Sequence, residues 1–348
     1  MKFSAKFAVA AAFAALVAVA APASFAKPKP PVIDAPPMPP PMPSVGFGLR
    51  FLDQAAAYQT YVIDAAAISP AFSNAAGVAN TLRTGSAYEP EQLRRGAIVN
   101  AAIAALGDAE FVDAVRRTGA TPEARYAIVA RTFADPRSVL AYPGATRALA
   151  LAKAALAQTG MRVFNDGDSV RLAAYAIQHQ PWSLDAVADR DQRLIAVKSL
   201  SSTQRRPNAD DRMALERQIQ GVAPATVGVQ EAPPPYSALL VRAVALAALA
   251  AVGQASDDDF GHLGWLTDDY YLDHCLAETK LSLYECLAVA KPNYEDVFCL
   301  GQHALKDTGA CLVKSAYSTI PIDVITHPMA VPAAHYHAAT HAAARRKR

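Results

Sequence analysis

Residues Asp268–Val313 read DDYYLDHCLAETKLSLYECLAVAKPNYEDVFCLGQHALKDTGACLV and hold every cysteine of the chain: Cys275, Cys286, Cys299 and Cys311. Lys291-Pro292-Asn293 divides the stretch into two arms with two cysteines each. Each arm has helical spacing, so the stretch predicts a helical hairpin with arm one from Asp268 to Ala290 and arm two from Tyr294 to Asp307. Cys275 and Cys286 stand about 16 Å apart along a helix rising 1.5 Å per residue. A disulfide needs Cα atoms within about 7 Å, so a bridge inside arm one fails. Folding about Pro292 sets Cys286 opposite Cys299 and Cys275 opposite Cys311, and this nested pairing fits best. The crossed pairing, Cys275–Cys299 with Cys286–Cys311, needs a staggered hairpin. An eleven-residue step returns Cys275 and Cys286 to one face. The twelve-residue step from Cys299 to Cys311 does not, and Gly309 is expected to end arm two and free Cys311 to turn inward.

In plan, the cysteine spacing resembles the twin-cysteine helical hairpins of CHCH-type proteins, which use a shorter, regular spacing in small chains. No function follows from that likeness. The chain has no C-x-x-C, and zinc sites made of four cysteines usually need C-x2–4-C spacing. A structural staple is therefore expected in place of a redox or zinc centre.

Disulfides require an oxidising compartment, and the start of the chain fits one. Lys2 and Lys6 precede an apolar run from Phe7 to Ala21, and Ser24-Phe25-Ala26 has the small-x-small form of a cleavage site. Residues 1–26 are thus expected to be a secretory signal peptide, too short in its apolar part to span a bilayer, and the destination is expected to be the bacterial periplasm. Without Lys2 and Lys6 the 33 bases fall by two, level with the 31 acids. Four of the remaining bases, Arg345, Arg346, Lys347 and Arg348, are terminal. That distribution is no nucleic-acid footprint, which is a basic face on a folded body.

Nine of the residues from Lys27 to Pro43 are proline. Proline fixes φ and lacks the N–H, so residues 27–48 are expected to be an extended linker. Alanine-rich helical periodicity then fills 49–220, the helical body. Within it Ser73–Gly85 reads as a Gly- and Asn-rich connection, and Asn165-Asp166-Gly167-Asp168 as a turn between helices Ala145–Phe164 and Ser169–His179. Residues 221–235 form a Pro-rich loop. Residues 236–318 carry the most apolar segment, Tyr236–Val252, a buried central helix on which the cysteine hairpin is expected to pack. The fold expected is all-α: an irregular multi-helix bundle with a C-terminal disulfide-stapled helical hairpin and no transmembrane helix in the mature chain.

Residues 319–348 are read as a flexible tail. Its His335, His337 and His341 have a spacing able to hold Zn²⁺, Cu²⁺ or Ni²⁺, and its terminal bases favour an anionic envelope surface. The aspartates at 257–259 and 268–269 read as helix caps. No G-x-S-x-G, H-E-x-x-H, S-x-x-K or P-loop motif is present. The Glu-Ser pair of a lytic transglycosylase is also absent, and Glu278 and Glu285, the glutamates of arm one, are expected on its solvent side. The function class expected is a non-enzymatic structural or interaction protein whose partner is another envelope protein or the anionic surface. A periplasmic metal-binding protein using the tail histidines comes second, and an enzyme of unrecognised type third.

Overall fold

The computed structural model describes residues 42–207, 209–221 and 231–317. The signal peptide, the linker up to position 41, most of the 221–235 loop and the tail with His335, His337 and His341 lie outside the described residues. Among those described there is no strand, and the fold is all-α.

Helix starts follow local capping chemistry. Helix α1 (Leu49–Ala66) is capped from a distance: the Arg50 N–H donates to Asp257 Oδ1 at 2.7 Å. Asn74 accepts from the Gly77 N–H to open α2 (Ala75–Ser86), so the Gly- and Asn-rich connection expected at 73–85 is a helix. Val78 and Leu82 form its inward face. Glu89 opens α3 (Pro90–Ala105), Asp108 opens α4 (Ala109–Thr118) and Thr121 opens α5 (Pro122–Ala134). In each, an acidic residue stands in the first turn, where the helix dipole favours it.

A 3-10 turn at Pro136–Ala141 leads to α6 (Ala145–Ile177), a single helix of 33 residues and about 50 Å. The turn expected at Asn165–Asp168 is therefore absent. Its physical reason is a tertiary contact. A Cβ on Gly167 would lie 2.3 Å from the Lys306 backbone nitrogen, and one on Gly301 would lie 2.3 Å from that of Arg171. Gly160 and Gly309 repeat the closeness one step along: a Cβ on Gly309 would stand 2.6 Å from the Gly160 oxygen. These glycines let two helix backbones touch, and that packing overrides the turn preference of Asn-Asp-Gly-Asp.

Short helices α7 (Pro181–Leu184), α8 (Arg190–Ser201) and α9 (Ala209–Gly221) follow. Helix α10 (Ala238–Ala251), capped by Ser237, is buried at every residue except Arg242. Its neighbours are α3, α6 and the Pro136–Ala141 turn, so alanines such as Ala101, Ala105, Ala243 and Ala247 make the centre of the bundle. Residues 42–48, the end of the segment expected as linker, run along α10: Gly46 N–H donates to Ala250 O and Gly48 N–H to Ala255 O. Arg116 also joins Pro43 O to Ala251 O at the end of α10. One core holds residues from both the 49–220 and the 236–318 segments.

After α11 (Phe260–Leu263) and a 3-10 turn (Gly264–Thr267), arm one of the hairpin is α12 (Tyr270–Val289), capped by Asp269. Arm two runs without a break through α13 (Asn293–Cys299), a π-helical segment (Leu300–Asp307) and α14 (Thr308–Tyr317). Gly309 does not end it. The hairpin's main packing surface is α6, through arm two, and not α10 as expected from sequence order. The glycine seam decides this, because it brings arm two and α6 to backbone contact.

Candidate functional site

The structure bonds Cys275 to Cys311 and Cys286 to Cys299, with Cα atoms 5.8 and 5.7 Å apart. Cys311 reaches its partner through the π segment. A π turn takes up one residue more than an α turn. The twelve-residue step of arm two then rotates like the eleven-residue step of arm one, and both cysteine pairs face each other. The widened turn is pinned from outside, where Tyr61 donates its phenol proton to Ala304 O at 3.0 Å. Glu278 and Glu285 are exposed on the far side of arm one.

The inner face of arm one carries a polar cluster. Leu272, Leu276, Thr279, Lys280, Leu283 and Leu287 form its buried stripe, so Lys280 points into the core at 3% exposure. Its Nζ stands 2.7 Å from Ser86 O, 3.0 Å from Ser201 Oγ and 3.2 Å from the centroid of the Tyr88 ring. Ser201 is equally buried and its Oγ lies 3.1 Å from the same Ser86 O. Beyond the ring, the Tyr88 hydroxyl meets Thr308 Oγ1 at 2.6 Å and Thr279 Oγ1 at 3.2 Å. Tyr61 packs edge-on against Tyr88 with centroids 4.7 Å apart. Six elements converge here: α1, α2, α8, α12, α14 and the α2–α3 connection.

Among the described residues no carboxylate pairs with Lys280. Glu89 is the acid whose charge acts on it, and the Glu89 carboxylate is engaged by the N–H groups of Glu91 and Gln92 at the start of α3. Burial pushes the Lys280 ammonium well below the usual lysine range. Its three neighbours are all acceptors: Nζ donates to Ser86 O and to Ser201 Oγ and faces the Tyr88 ring, while the Ser201 hydroxyl donates its own proton to Ser86 O. Burial likewise raises the Tyr88 phenol to about 12.

Next to the cluster is a small cleft, lined by Ala57, Ala87, Tyr88, Glu89, Gln92 and Arg205, with room for about one water molecule. The strap Ser202–Pro207 borders it. The Gln92 side-chain amide accepts from Arg205 N–H at 2.7 Å and donates to Arg205 O at 2.8 Å, in the manner of a neighbouring strand. The Arg205 guanidinium pairs with Asp64 at 2.6 Å.

A second polar junction holds the hairpin loop. Arg190 donates to Ala288 O and Ala290 O, the orphan carbonyls at the end of α12. Arg193 donates to Leu287 O and to Asp296 Oδ1, and the Asp296 carboxylate is buried. Burial raises the Asp296 carboxyl to about 6, against the opposing attraction of Arg193.

The sequence located the cysteines and missed both junctions. The available signal was a lysine in phase with Leu276, Leu283 and Leu287. The tail histidines lie outside the described residues, and no helix among those described is long and apolar enough to cross a membrane. No protein-family model, curated protein or solved structure matches the chain.

Proposed function

We propose that the chain is an exported structural or interaction protein of the bacterial envelope, residing in the periplasm, with a partner that is another envelope protein. The observation that carries this reading is the doubly bridged hairpin, in which all four cysteines are engaged at two levels. Disulfides persist in oxidising compartments, and two nested bridges bonded to a backbone-close seam make a rigid support. The two polar junctions serve the same end: Arg190, Arg193 and Lys280 tie α8 and the end of α2 to arm one.

Cross-linking intact envelopes and purifying the chain under denaturing conditions tests it. One defined partner, recovered in repeated preparations and lost when the hairpin cysteines are changed to serine, is the expected result. Recovery of the chain alone, or from the cytoplasm with its thiols free, refutes it.

A further inference from the structure

We propose that the outward face of arm one is the seat of the chain's own C-terminal segment, with Ile320–Ile325 laid along it and the terminal Arg345–Arg348 against its glutamates. This goes beyond the scaffold reading and does not depend on an envelope partner.

Three observations carry it. The first is the face itself. Leu272, Leu276, Leu283 and Leu287 turn one side of α12 inward. The opposite side carries Tyr270, Ala277, Leu281 and Ala288, whose helical spacing sets them in one row. Tyr270 is 72% and Leu281 56% exposed, and Val289 follows at 73%. The Tyr270 ring stacks on His274 and meets Tyr271 edge-on, with centroids 5.9 and 5.6 Å apart. Nothing among the described residues covers this row.

The second is where the described chain ends. The Cys275–Cys311 bridge sets the two arms side by side, Cα atoms 5.8 Å apart. Tyr270 precedes Cys275 on one arm and Tyr317 follows Cys311 on the other, which runs the opposite way. Both tyrosines therefore stand at the same end of the hairpin, each about 8–9 Å beyond the bridge along its helix. Lys153 Nζ, 4.2 Å from the centroid of the Tyr317 ring, fixes that exit. Residues 318–348 thus set out beside Tyr270, and their first apolar run is Ile320-Pro321-Ile322-Asp323-Val324-Ile325. Six extended residues reach about 20 Å, and Tyr270 to Leu281 is about 16 Å along the helix. Laid that way, Ile320, Ile322 and Val324 share one side.

The third is charge. Lys280 is the only lysine or arginine of α12 and is turned inward, so the outward side holds Glu278 and Glu285 with His274. Residues 318–348 hold Arg345, Arg346, Lys347 and Arg348 against one acid, Asp323. Exposed ion pairs stabilise little, so the apolar contact with Tyr270 and Leu281 supplies the burial and the charges select the face. The short step from Tyr317 to Ile320 makes the contact intramolecular, at high effective concentration.

The test uses the full oxidised chain with benzoylphenylalanine in place of Leu281. After irradiation, peptide mass spectrometry is expected to place the link on Ile320–Ile325 of the same molecule, with a yield that does not change with protein concentration. Ile322→Asp with Val324→Asp is expected to lower that yield at least tenfold. Without the photoprobe, the same pair of changes is expected to speed nitration of Tyr270 by tetranitromethane at least fivefold, with Tyr126, 69% exposed on α5, as the internal reference. Glu278→Lys with Glu285→Lys is expected to lower the yield at least threefold at low salt. Links only between two molecules overturn the proposal and make the face an interface between copies. A link to no residue of 318–348, or equal nitration of Tyr270 in parent and variant, overturns it outright. An unchanged yield in the glutamate variant overturns the role of the charges. All these readouts use purified protein, so they stand apart from partner recovery from envelopes.

Discussion

Gly167→Ala measures how closely α6 and arm two are pressed together. The added methyl would sit 2.3 Å from the Lys306 nitrogen, 2.7 Å from its Cα and 2.8 Å from the Gly301 oxygen. Atoms in contact prefer about 3.5–4.0 Å, so the helices must separate by about 1 Å. The obstacles are backbone atoms, and no side-chain rotation relieves them. A gap of that size forfeits a quarter to a half of the dispersion attraction of each contact it opens, and overpacking of a tight site costs about 3 kcal/mol at the upper end of its usual range. Alanine in place of glycine inside a helix returns about 1 kcal/mol. The net loss is about 2 kcal/mol, a fall of roughly 4 °C in Tm for a domain of this size. Scanning calorimetry of the oxidised protein is the assay, with Gly261→Ala as the control because nothing lies within 4 Å of its added Cβ. Gly301→Ala should cost a similar amount, and the double variant much less than the two together, since one separation accommodates both methyls. A Gly167→Ala protein that melts at or above the parent refutes the reasoning, and means that α6 is interrupted at Asn165–Asp168.

Three further outcomes are expected. Replacing Cys275 and Cys311 by serine, a pair 36 residues apart, should cost about 4 kcal/mol, and replacing Cys286 and Cys299, 13 apart, about 3 kcal/mol; equal midpoints in urea for parent and variants would remove the staple from the account. Asp296 is held near 6 against 3.8 unfolded, so between these values the folded state keeps a proton the unfolded state has lost, and stability from this group rises as pH falls through 6; Asp296→Asn should abolish that gain, on the order of 2 kcal/mol by pH 4.5, and an unchanged difference between the two proteins from pH 7 to pH 4.5 sinks it. Titration with Zn²⁺, Cu²⁺ or Ni²⁺ should show affinity that disappears when the chain is truncated after Ile325, and affinity surviving the truncation excludes His335, His337 and His341 as the ligands.

The features legible in the sequence are those whose cause is local. Glu89, Asp108, Thr121, Ser237 and Asp269 each bond N–H groups within three residues, so the helix starts are written beside the helices they open. Cysteine phase is likewise local arithmetic along one arm. The features not legible have causes far away in the chain. Asn165–Asp168 continues a helix because Lys306 and Gly301 lie against Gly167. Gly85 sits inside α2 because its added Cβ would meet the Leu300 side chain at 2.5 Å. The Lys280 cluster is assembled from positions between 61 and 308, and only the lysine's place in the leucine stripe hints at it.

The π segment has a consequence for how the hairpin changes length. An extra residue in an ordinary helix rotates everything after it by about 100°. Here the surplus residue lies between two anchored cysteines on arm two, and the widened turn absorbs it before Cys311. The bridges therefore confine a length change to the span between them, as two clamps confine slack in a cable. Arm two tolerates twelve positions where arm one has eleven, and loss of one residue from Leu300–Asp307 would leave an unbroken α-helix with both bridges still in phase.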